Sequence, residues 1–270
     1  MINILVTGAK GFVGSHICNH LKNEYNIFQP SRSELDLLNR NQVIDFFQSN
    51  RIDSVIHCAL SGREELSSFD PKYISDNLLM FQNLYLNKHR FCQFINMGTC
   101  FEYDQDRDNF YIEEYQSDHV LPKTSYAYSK NIIGRIINNT ENFYNLRLFY
   151  VFHETESPKR FLKKVLHATE ITIHNDQYVD YIYLDDLLPM IKTILDGKCK
   201  DKVVNMVYPE KFKLSEIAYM LCEYLNIDKS KINIAGSNGI NMIGNSQRLS
   251  SYGFKLVGLK KGLENYKLCY

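Results

Sequence analysis

What the 270-residue chain lacks narrows it first. Neither sign of charge is in excess, since 31 Lys+Arg stand against 31 Asp+Glu for a formal net charge of +0, and no global field draws the protein to nucleic acid or to an anionic membrane. No apolar run approaches the roughly 18 residues that cross a bilayer. The first apolar run, Ile2–Thr7, has neither a basic flank before it nor a small-residue cleavage site after it, as a signal peptide would. A cytoplasmic protein with no membrane and no nucleic-acid partner is expected. The seven cysteines (Cys18, Cys58, Cys92, Cys100, Cys199, Cys222, Cys269) form no C-x-x-C pair, and none stands at metal-ligand spacing from a histidine, so no metal is expected. Six of them read as small buried hydrophobes in a reducing compartment; Cys100 is set apart below. Internal repeats, low-complexity tracts and long charge runs are absent too.

What is present is alternation. Short apolar runs at Ile2–Thr7, Asn26–Gln29, Ser54–His57, Phe91–Met97 and Leu146–Val151 are separated by helical patterns near Gly11–Leu21, Gln42–Gln48, Ile74–Leu86 and Ser125–Asn139. This order predicts an α/β fold of the doubly wound Rossmann type, a parallel sheet with helices on both faces. After Val151 the regularity weakens. Arg160–Ala168, Asp185–Leu195 and Leu214–Leu225 read as helices, Val179–Leu184 as a strand, and the Gly/Ser/Asn-rich stretch Ala235–Gln247 as a loop. The expected division is a dinucleotide-binding part over residues 1–151, to which 175–197 returns, and a smaller, mixed substrate-binding part over 152–270.

Between the first strand and the first helix the chain reads T-G-A-K-G-F-V-G, with Gly8, Gly11 and Gly14 spaced by three. Gly8 permits the tight turn, Gly11 lets backbone approach a pyrophosphate, and Gly14 allows helix–strand contact. The helix N-terminus then offers its N–H groups to the anion. No Gly-Lys-Ser/Thr follows, which excludes a P-loop. Lys10, Phe12 and Val13 complete this predicted cofactor loop, and its spacing is that of the short-chain dehydrogenase/reductase variant of the Rossmann fold. An NAD site places an acid at the end of the second strand, on the ribose 2′-OH; here that end reads Gln29-Pro30-Ser31-Arg32. Arg32 and Ser31, with Lys10, suit a 2′-phosphate, although a single arginine also reads as a solvated charge. NADP(H) is expected over NAD(H).

Tyr126 and Lys130 stand four residues apart, hence one above the other on a helix. A phenol whose pKa is near 10 needs such a cation to exchange protons at neutral pH. Chance supplies about one Tyr-x-x-x-Lys in a chain this rich in both residues, so the context carries the weight. The motif opens the helix that follows the fourth strand, and Thr99, at that strand's carboxyl end, is placed to hold a substrate carbonyl or alcohol.

At this point the chain resembles the extended short-chain dehydrogenase/reductases, specifically the NAD(P)-dependent epimerase/dehydratase family acting on nucleotide sugars. The likeness runs over most of the sequence. It takes in the glycine loop, Asp36-Leu37, Val55–Ala59, Asn77, Thr99, Tyr126 with Lys130, Tyr181–Leu187, and Arg248-Leu249 with Gly253-Phe254. It implies that Asp36 and Leu37 flank the adenine, that Ala59 lines the cofactor channel, and that Thr99, Tyr126 and Lys130 are the catalytic triad, with Lys130 also on the nicotinamide ribose. It further implies a nucleotide-linked sugar as substrate and a homodimer built on the Ile74–Leu86 and Ser125–Asn139 helices. The dehydratases of the family follow the threonine with Asp-Glu, where this chain has Cys100-Phe101, which disfavours dehydration and leaves Cys100 and Phe101 as candidate substrate-binding residues. Ser31–Leu35 is similar to the same segment of GDP-fucose synthase and deoxysugar reductases. That comparison offers Cys100 and His153 as an acid–base pair, against the plainer reading of a wall residue and a loop histidine. The chain departs from the family at Tyr150, at His153 in place of a usual glycine, and at Val179, where an arginine commonly grips the sugar-nucleotide diphosphate. Arg160 and Lys159, with Lys163 or Lys164, are the candidate replacements, or else a solvated basic helix face. The expected function is an NADPH-dependent reductase of a keto nucleotide sugar, 4-keto-6-deoxy in the first instance. The alternatives are an epimerase with tightly bound NAD and a non-catalytic dinucleotide-binding protein.

Overall fold

A computed structural model describes residues 1–62, 69–237 and 239–269, with side chains as far as Lys267; the expectation for the Cys269 side chain lies outside them. In chain order the elements are β1 (Asn3–Thr7), α1 (Phe12–Leu21), β2 (Asn26–Phe28), α2 (Arg40–Ser49), β3 (Ser54–His57), α3 (Pro71–Tyr85), β4 (Gln93–Thr99), β5 (Asn109–Ile112), α4 (Ser125–Asn138), β6 (Phe143–Leu148), β7 (Tyr150–Phe152), α5 (Phe161–His167), β8 (Ile171–Ile173), β9 (Tyr178–Val179), β10 (Tyr181–Tyr183), α6 (Leu188–Leu195), β11 (Val203–Met206), β12 (Phe212–Lys213), α7 (Leu214–Leu225), β13 (Ile232–Ile234), β14 (Met242–Gly244), α8 (Gln247–Ser251) and α9 (Gly258–Glu264).

The chain divides into two compact units, the first made of Met1–Tyr103, Ser117–Arg147 and Met190–Val204. Its centre is a six-stranded sheet in the order β2-β1-β3-β4-β6-β11. The registers put Leu5 beside Phe28 and Val55, and Val55 beside Phe94, all in parallel pairs. β1 and β3 read as unbroken apolar runs because a parallel sheet is covered on both faces; Ile4, Leu5, Val6, Val55 and Ile56 are wholly buried. On one face Leu5, Val55 and Phe94 meet Val43 and Phe47 of α2, Phe81 and Leu84 of α3, and Ile133 and Ile137 of α4. Phe94 and Phe143 stack at 4.7 Å there. Burying one such ring stabilises by about 1.5–3 kcal/mol, so this aromatic layer is a large part of the sheet's adhesion. The chain leaves β1 to form β2 on one side and returns through α2 to form β3 on the other. The direction of winding therefore reverses between β1 and β3, and the crevice beyond their carboxyl ends is where such sheets bind ligands.

The central sheet differs from expectation in two places. The fifth strand, expected over Leu146–Val151, is two strands: β6 stays in the central sheet, while β7 pairs in parallel with β10, Tyr150 beside Tyr181. The sixth central strand, β11, reads only as V-V-N-M, and four apolar-rich residues behind a charged loop carry no periodicity from which to type them.

The second unit comprises Asp104–Gln116, Leu148–Pro189 and Asn205–Tyr270. The expected boundary near 151 compares with the chain's exit from the first unit after Arg147, and the expected return over 175–197 with Met190–Val204. Its strands form a four-stranded sheet in the order β12-β9-β14-β5 and two pairs, β10 with β7 and β13 with β8. β14 lies inside the stretch expected to be a loop. Side-chain bonds hold it in place of apolar alternation: Asn241 Oδ1 accepts from Tyr178 N at 2.8 Å, and Gly244 N donates to Asp180 at 2.7 Å. Of the six described cysteines, all free thiols, Cys18, Cys100 and Cys222 are buried, Cys58 and Cys199 are half-buried, and Cys92 is exposed, so the expectation of burial holds for only part of the set.

Candidate active site

The switch point is built by close backbone approach. Gly8 has φ +67, and a Cβ on it would stand 2.6 Å from Ala59 N; a Cβ on Gly14 would meet Gly8 O at 2.4 Å. Glycine at both positions is thus dictated by the meeting of the β1 and β3 loops and by the docking of α1. Gly11 is the N-cap of α1 and no side chain caps that helix, which leaves the cap position to backbone donors. Beyond the loop lies a cleft of about 330 Å³, lined among others by Gly8, Lys10, Gly11, Arg32, Leu37 and Ala59. Ser31 and Asp36 also line it, whereas Phe12, Val13 and Gly14 continue into α1 behind it. A left-handed glycine turn, an uncapped helix start and a cleft with apolar walls and cations at its rim fit an adenine dinucleotide. Below the cleft floor Thr7 Oγ1 and His57 Nδ1 are 2.8 Å apart. Burial, with the nearby Lys130 charge adding to it, pushes His57 down to about 3. His57 is therefore a neutral brace at the switch point; the sequence offered it only as one letter of a strand.

At the ribose end the chain's own carboxylates reach the donors assigned to a 2′-phosphate. Residues 31–35 form a helical turn, in which Ser31 N donates to Glu34 Oε2 at 2.7 Å and Ser31 Oγ lies 2.9 Å from Ser33 Oγ. Arg32 Nε is 3.7 Å from Asp36 Oδ1 on an exposed rim. Burial works against the Asp76 charge, but bonds from Lys72 and Ser61 outweigh it and Arg32 adds to them, so this carboxyl is held low. The strand end itself carries no acid, as the sequence shows, yet the following turn folds Glu34 and Asp36 back beside Ser31 and Arg32.

The three residues expected to do chemistry all belong to the first unit. Thr124 caps α4 by accepting from Ala127 N, which starts the helix at Ser125, one residue before Tyr126. Lys130 is 4 % exposed, and its Nζ donates to Met97 O at 2.8 Å, two residues before Thr99. Burial lowers its pKa while Glu102 and Cys58 oppose the shift. Half-buried Tyr126 meets the edge of Phe101 at 6.1 Å. Buried Thr99 accepts from Phe101 N at 3.3 Å as cap of the turn Cys100–Glu102; this cap uses the oxygen as acceptor, so the O–H is still a donor. Lys130 Nζ is thus bonded within two residues of Thr99, and Tyr126 lies one helical turn before Lys130; a phenol, an ammonium and a hydroxyl are the groups that proton delivery to an oxygen needs.

Sequence reasoning missed what supports them. Glu102 is wholly buried and ion-paired to Arg147, with Nε and Oε2 2.7 Å apart. It also accepts from Thr99 N at 2.9 Å and from Asn145 Nδ2 at 3.0 Å. Arg147 donates further to Tyr103 Oη at 2.8 Å and to Ser117 Oγ at 2.5 Å. A visible signal existed, since Thr99-x-x-Glu102 is a capping box; nothing local marks Arg147. Asn77 of α3 accepts from Ser61 N at 2.8 Å and donates to Ser129 Oγ at 3.2 Å, tying the loop after Ala59 to α4.

The four candidate substrate residues are divided between the units. Cys100 and Phe101 lie in the first, His153 and Arg160 in the second. Cys100 is 1 % exposed, as a wall residue is. His153 Nε2 lies 3.4 Å from Glu154 and 3.5 Å from Asp185, and its ring stacks on Tyr183 at 5.2 Å. Arg160 spends its fork on Glu156, at 2.8 Å, and on the Val151 carbonyl, and Lys163 is buried over the Tyr266 ring. Both are seated within the second unit's own fabric.

Known proteins resemble the chain in sequence and in fold. The profile of the NAD dependent epimerase/dehydratase family matches residues 4–206. A stretch is 29% identical over 133 residues to GDP-L-colitose synthase of Yersinia pseudotuberculosis, covering 47% of this chain and 43% of that protein, so the match spans less than half of that relative's length. Among solved structures the chain is similar to the GDP-mannoheptose C4 reductase of Campylobacter jejuni with NADP bound, with a TM-score of 0.84 at 17% identity over 99% of this chain and 97% of the other. It is similar also to the dTDP-4-dehydrorhamnose reductase of Bacillus anthracis in complex with NADP, with a TM-score of 0.81 at 19% identity over 100% and 99% of the two chains. At such identities the likeness to the solved structures shows a shared fold.

Proposed function

The chain belongs to the NAD dependent epimerase/dehydratase family, as an NAD(P)-dependent oxidoreductase of the extended short-chain dehydrogenase/reductase type, and from that premise we propose that it reduces a keto nucleotide sugar with NADPH. One observation carries the reading: buried Lys130, one turn after Tyr126, is fixed to the carboxyl end of β4, where the Thr99 hydroxyl stands. Two similar folds that are named as reductases of nucleotide-linked sugars hold NADP, and Lys10 and Arg32 on the cleft rim suit the extra phosphate.

A nicotinamide dinucleotide held by the glycine loop and the cleft behind Gly8 and Gly11 would supply the hydride. Thr99 holds the ketone oxygen through its O–H, Tyr126 donates the proton that converts the developing alkoxide to an alcohol, and the Lys130 charge favours the phenolate that remains. The T-shaped contact with Phe101 limits the swing of the Tyr126 ring. Exposed apolar side chains on α3 and α4, Leu79 and Ile136, with Leu86 just after α3, support a homodimer through these helices. The six free thiols suit a reducing, cytoplasmic setting.

The test is NADPH oxidation against CDP-, dTDP-, GDP- and UDP-linked keto sugars. Tyr126→Phe should lower turnover by about 10²-fold or more with NADPH affinity nearly intact; full turnover in that variant would remove Tyr126 from the mechanism. An epimerase is the second reading, favoured by the carboxylates of Glu34 and Asp36 near the ribose end. NAD retained through purification would select it. A binding-only protein would have no use for Thr99, Tyr126 and Lys130 together, and turnover in neither assay would favour it.

A further inference from the structure

The 2′-phosphate anchors inferred from the sequence are Lys10, Ser31 and Arg32, and all three line the cleft. In the structure they already face anions of the same chain. The Ser31 N–H, at the start of the 31–35 turn, is taken by Glu34 Oε2 at 2.7 Å. Arg32 is drawn toward Asp36 at 3.7 Å. Glu34 and Ser31 form the S-x-x-E arrangement of a capping box, which accounts for the hydrogen bond. The box does not account for the charge, because glutamine serves at that position as well. The Ser31 bonds and the Lys10 cation hold the Glu34 carboxyl below its ordinary range and so favour its anion.

We propose that Glu34 is a specificity-determining residue, an internal anion on the Ser31 donor that competes with the 2′-phosphate and narrows the preference for NADPH over NADH. Resting on the NADPH reading above, the inference goes beyond it by naming the residue that limits that preference. A dinucleotide with a 2′-phosphate must displace the carboxylate or accept a negative neighbour, whereas one with a 2′-hydroxyl meets no such conflict. Discrimination is set here by a repulsive element as much as by the attractive Arg32.

The experiment uses the whole chain and two probes that need no sugar substrate, 2′,5′-ADP and 5′-ADP, titrated calorimetrically against wild type, Glu34→Gln and Arg32→Ala. In Glu34→Gln the amide oxygen can still accept from Ser31 N, so the exchange removes charge and keeps the turn. Glu34→Gln should tighten 2′,5′-ADP about threefold, the scale of one exposed charge interaction, and leave 5′-ADP unchanged. An equal change for both probes, no change, or weaker 2′,5′-ADP binding would overturn the proposal. The underlying reading fails separately: wild type binding 5′-ADP more tightly than 2′,5′-ADP, with Arg32→Ala affecting neither, would remove the NADPH assignment. The effect of Glu34 would still be read from the same titrations.

Discussion

Each unit of the molecule buries an ion pair, and the two pairs behave differently. In the first unit Arg147 and Glu102 are 2 % and 0 % exposed; in the second Lys211 and Asp180 are 5 % and 3 % exposed, with contacts of 2.7 Å and 2.8 Å. Burial and distance are therefore nearly matched. Burial works against the Arg147 charge, but Tyr103 and Glu102 outweigh it and hold the guanidinium well above its usual value. Burial pushes Asp180 up to about 6 against the pull of Lys211, and pushes Lys211 down. The difference lies in partners. Arg147 bonds Glu102, Tyr103 and Ser117, and Glu102 also serves Thr99 N and Asn145. Beyond its lysine, the Asp180 carboxylate takes only Gly244 N among the bonds described. A planar fork with several donors used keeps its charge in the interior, whereas a point-charge ammonium yields more readily. The pair whose guanidinium is held charged also binds Thr99 N through Glu102, where a charge that came and went with pH would move the candidate catalytic residue.

Breaking the first pair should have the largest effect on the fold. Arg147→Met leaves Glu102 buried without its cation and should cost about 3–5 kcal/mol of stability, while adding Glu102→Leu should recover much of that loss because no lone charge remains. Urea unfolding of the two variants and wild type measures both steps. A single-variant loss under about 1 kcal/mol would mean that water or another group reaches Glu102 and that the network does not hold it.

The second pair should break more gently and with a pH dependence. With its folded pKa raised above 3.8, Asp180 keeps a proton that the unfolded chain has already lost, so stability falls as pH rises between about 4 and 6. The slope from this one group is at most about 1.4 kcal/mol per pH unit, and the loss is constant above that window. Lys211→Met removes the cation that opposes the shift, so the carboxyl climbs and the window extends upward. Near pH 5 the variant should lose only its hydrogen bonds, about 1–2 kcal/mol, and near pH 8 measurably more. Urea midpoints at the two pH values decide it. Equal losses would show that removing Lys211 leaves the Asp180 carboxyl where it was, and would erase the contrast between the pairs.

How much of this was legible beforehand follows the same physics. The glycine loop, the strand runs Ile2–Thr7 and Ser54–His57, and the Tyr126/Lys130 spacing are local, and local pattern reports on local structure. Glu102 and Arg147 are 45 residues apart, and no periodicity joins a cap residue to a residue on the next strand. β11 and β14 were hidden because short strands held by neighbours and by side-chain bonds carry no alternation of their own. At the ribose the position rule read the strand end correctly, but it looked at one residue. The turn after it brings Glu34 and Asp36 back to Ser31 and Arg32, and the S-x-x-E that does so was in plain view as a cap.

The smallest expected effect concerns backbone and sharpens the contrast from another side. In the first unit Gly8 takes φ +67, where a Cβ has no room against Ala59. In the second, Tyr111 of β5 takes φ +52 while 58 % exposed, a left-handed conformation that costs a side-chain-bearing residue about 1–2 kcal/mol. Glycine would remove that cost but would loosen the unfolded chain by about 0.5–1 kcal/mol, and an exposed ring gives up little burial. Tyr111→Gly should therefore stabilise by about 0.5 kcal/mol, a rise of about 1–2 °C in Tm for a chain of this size. Tyr111→Ala keeps the Cβ and hence the strain, and should gain nothing. Calorimetry of the two variants beside wild type separates the causes: a gain in alanine equal to that in glycine would put the effect in the exposed ring, and a loss in both would mean that the ring is anchored.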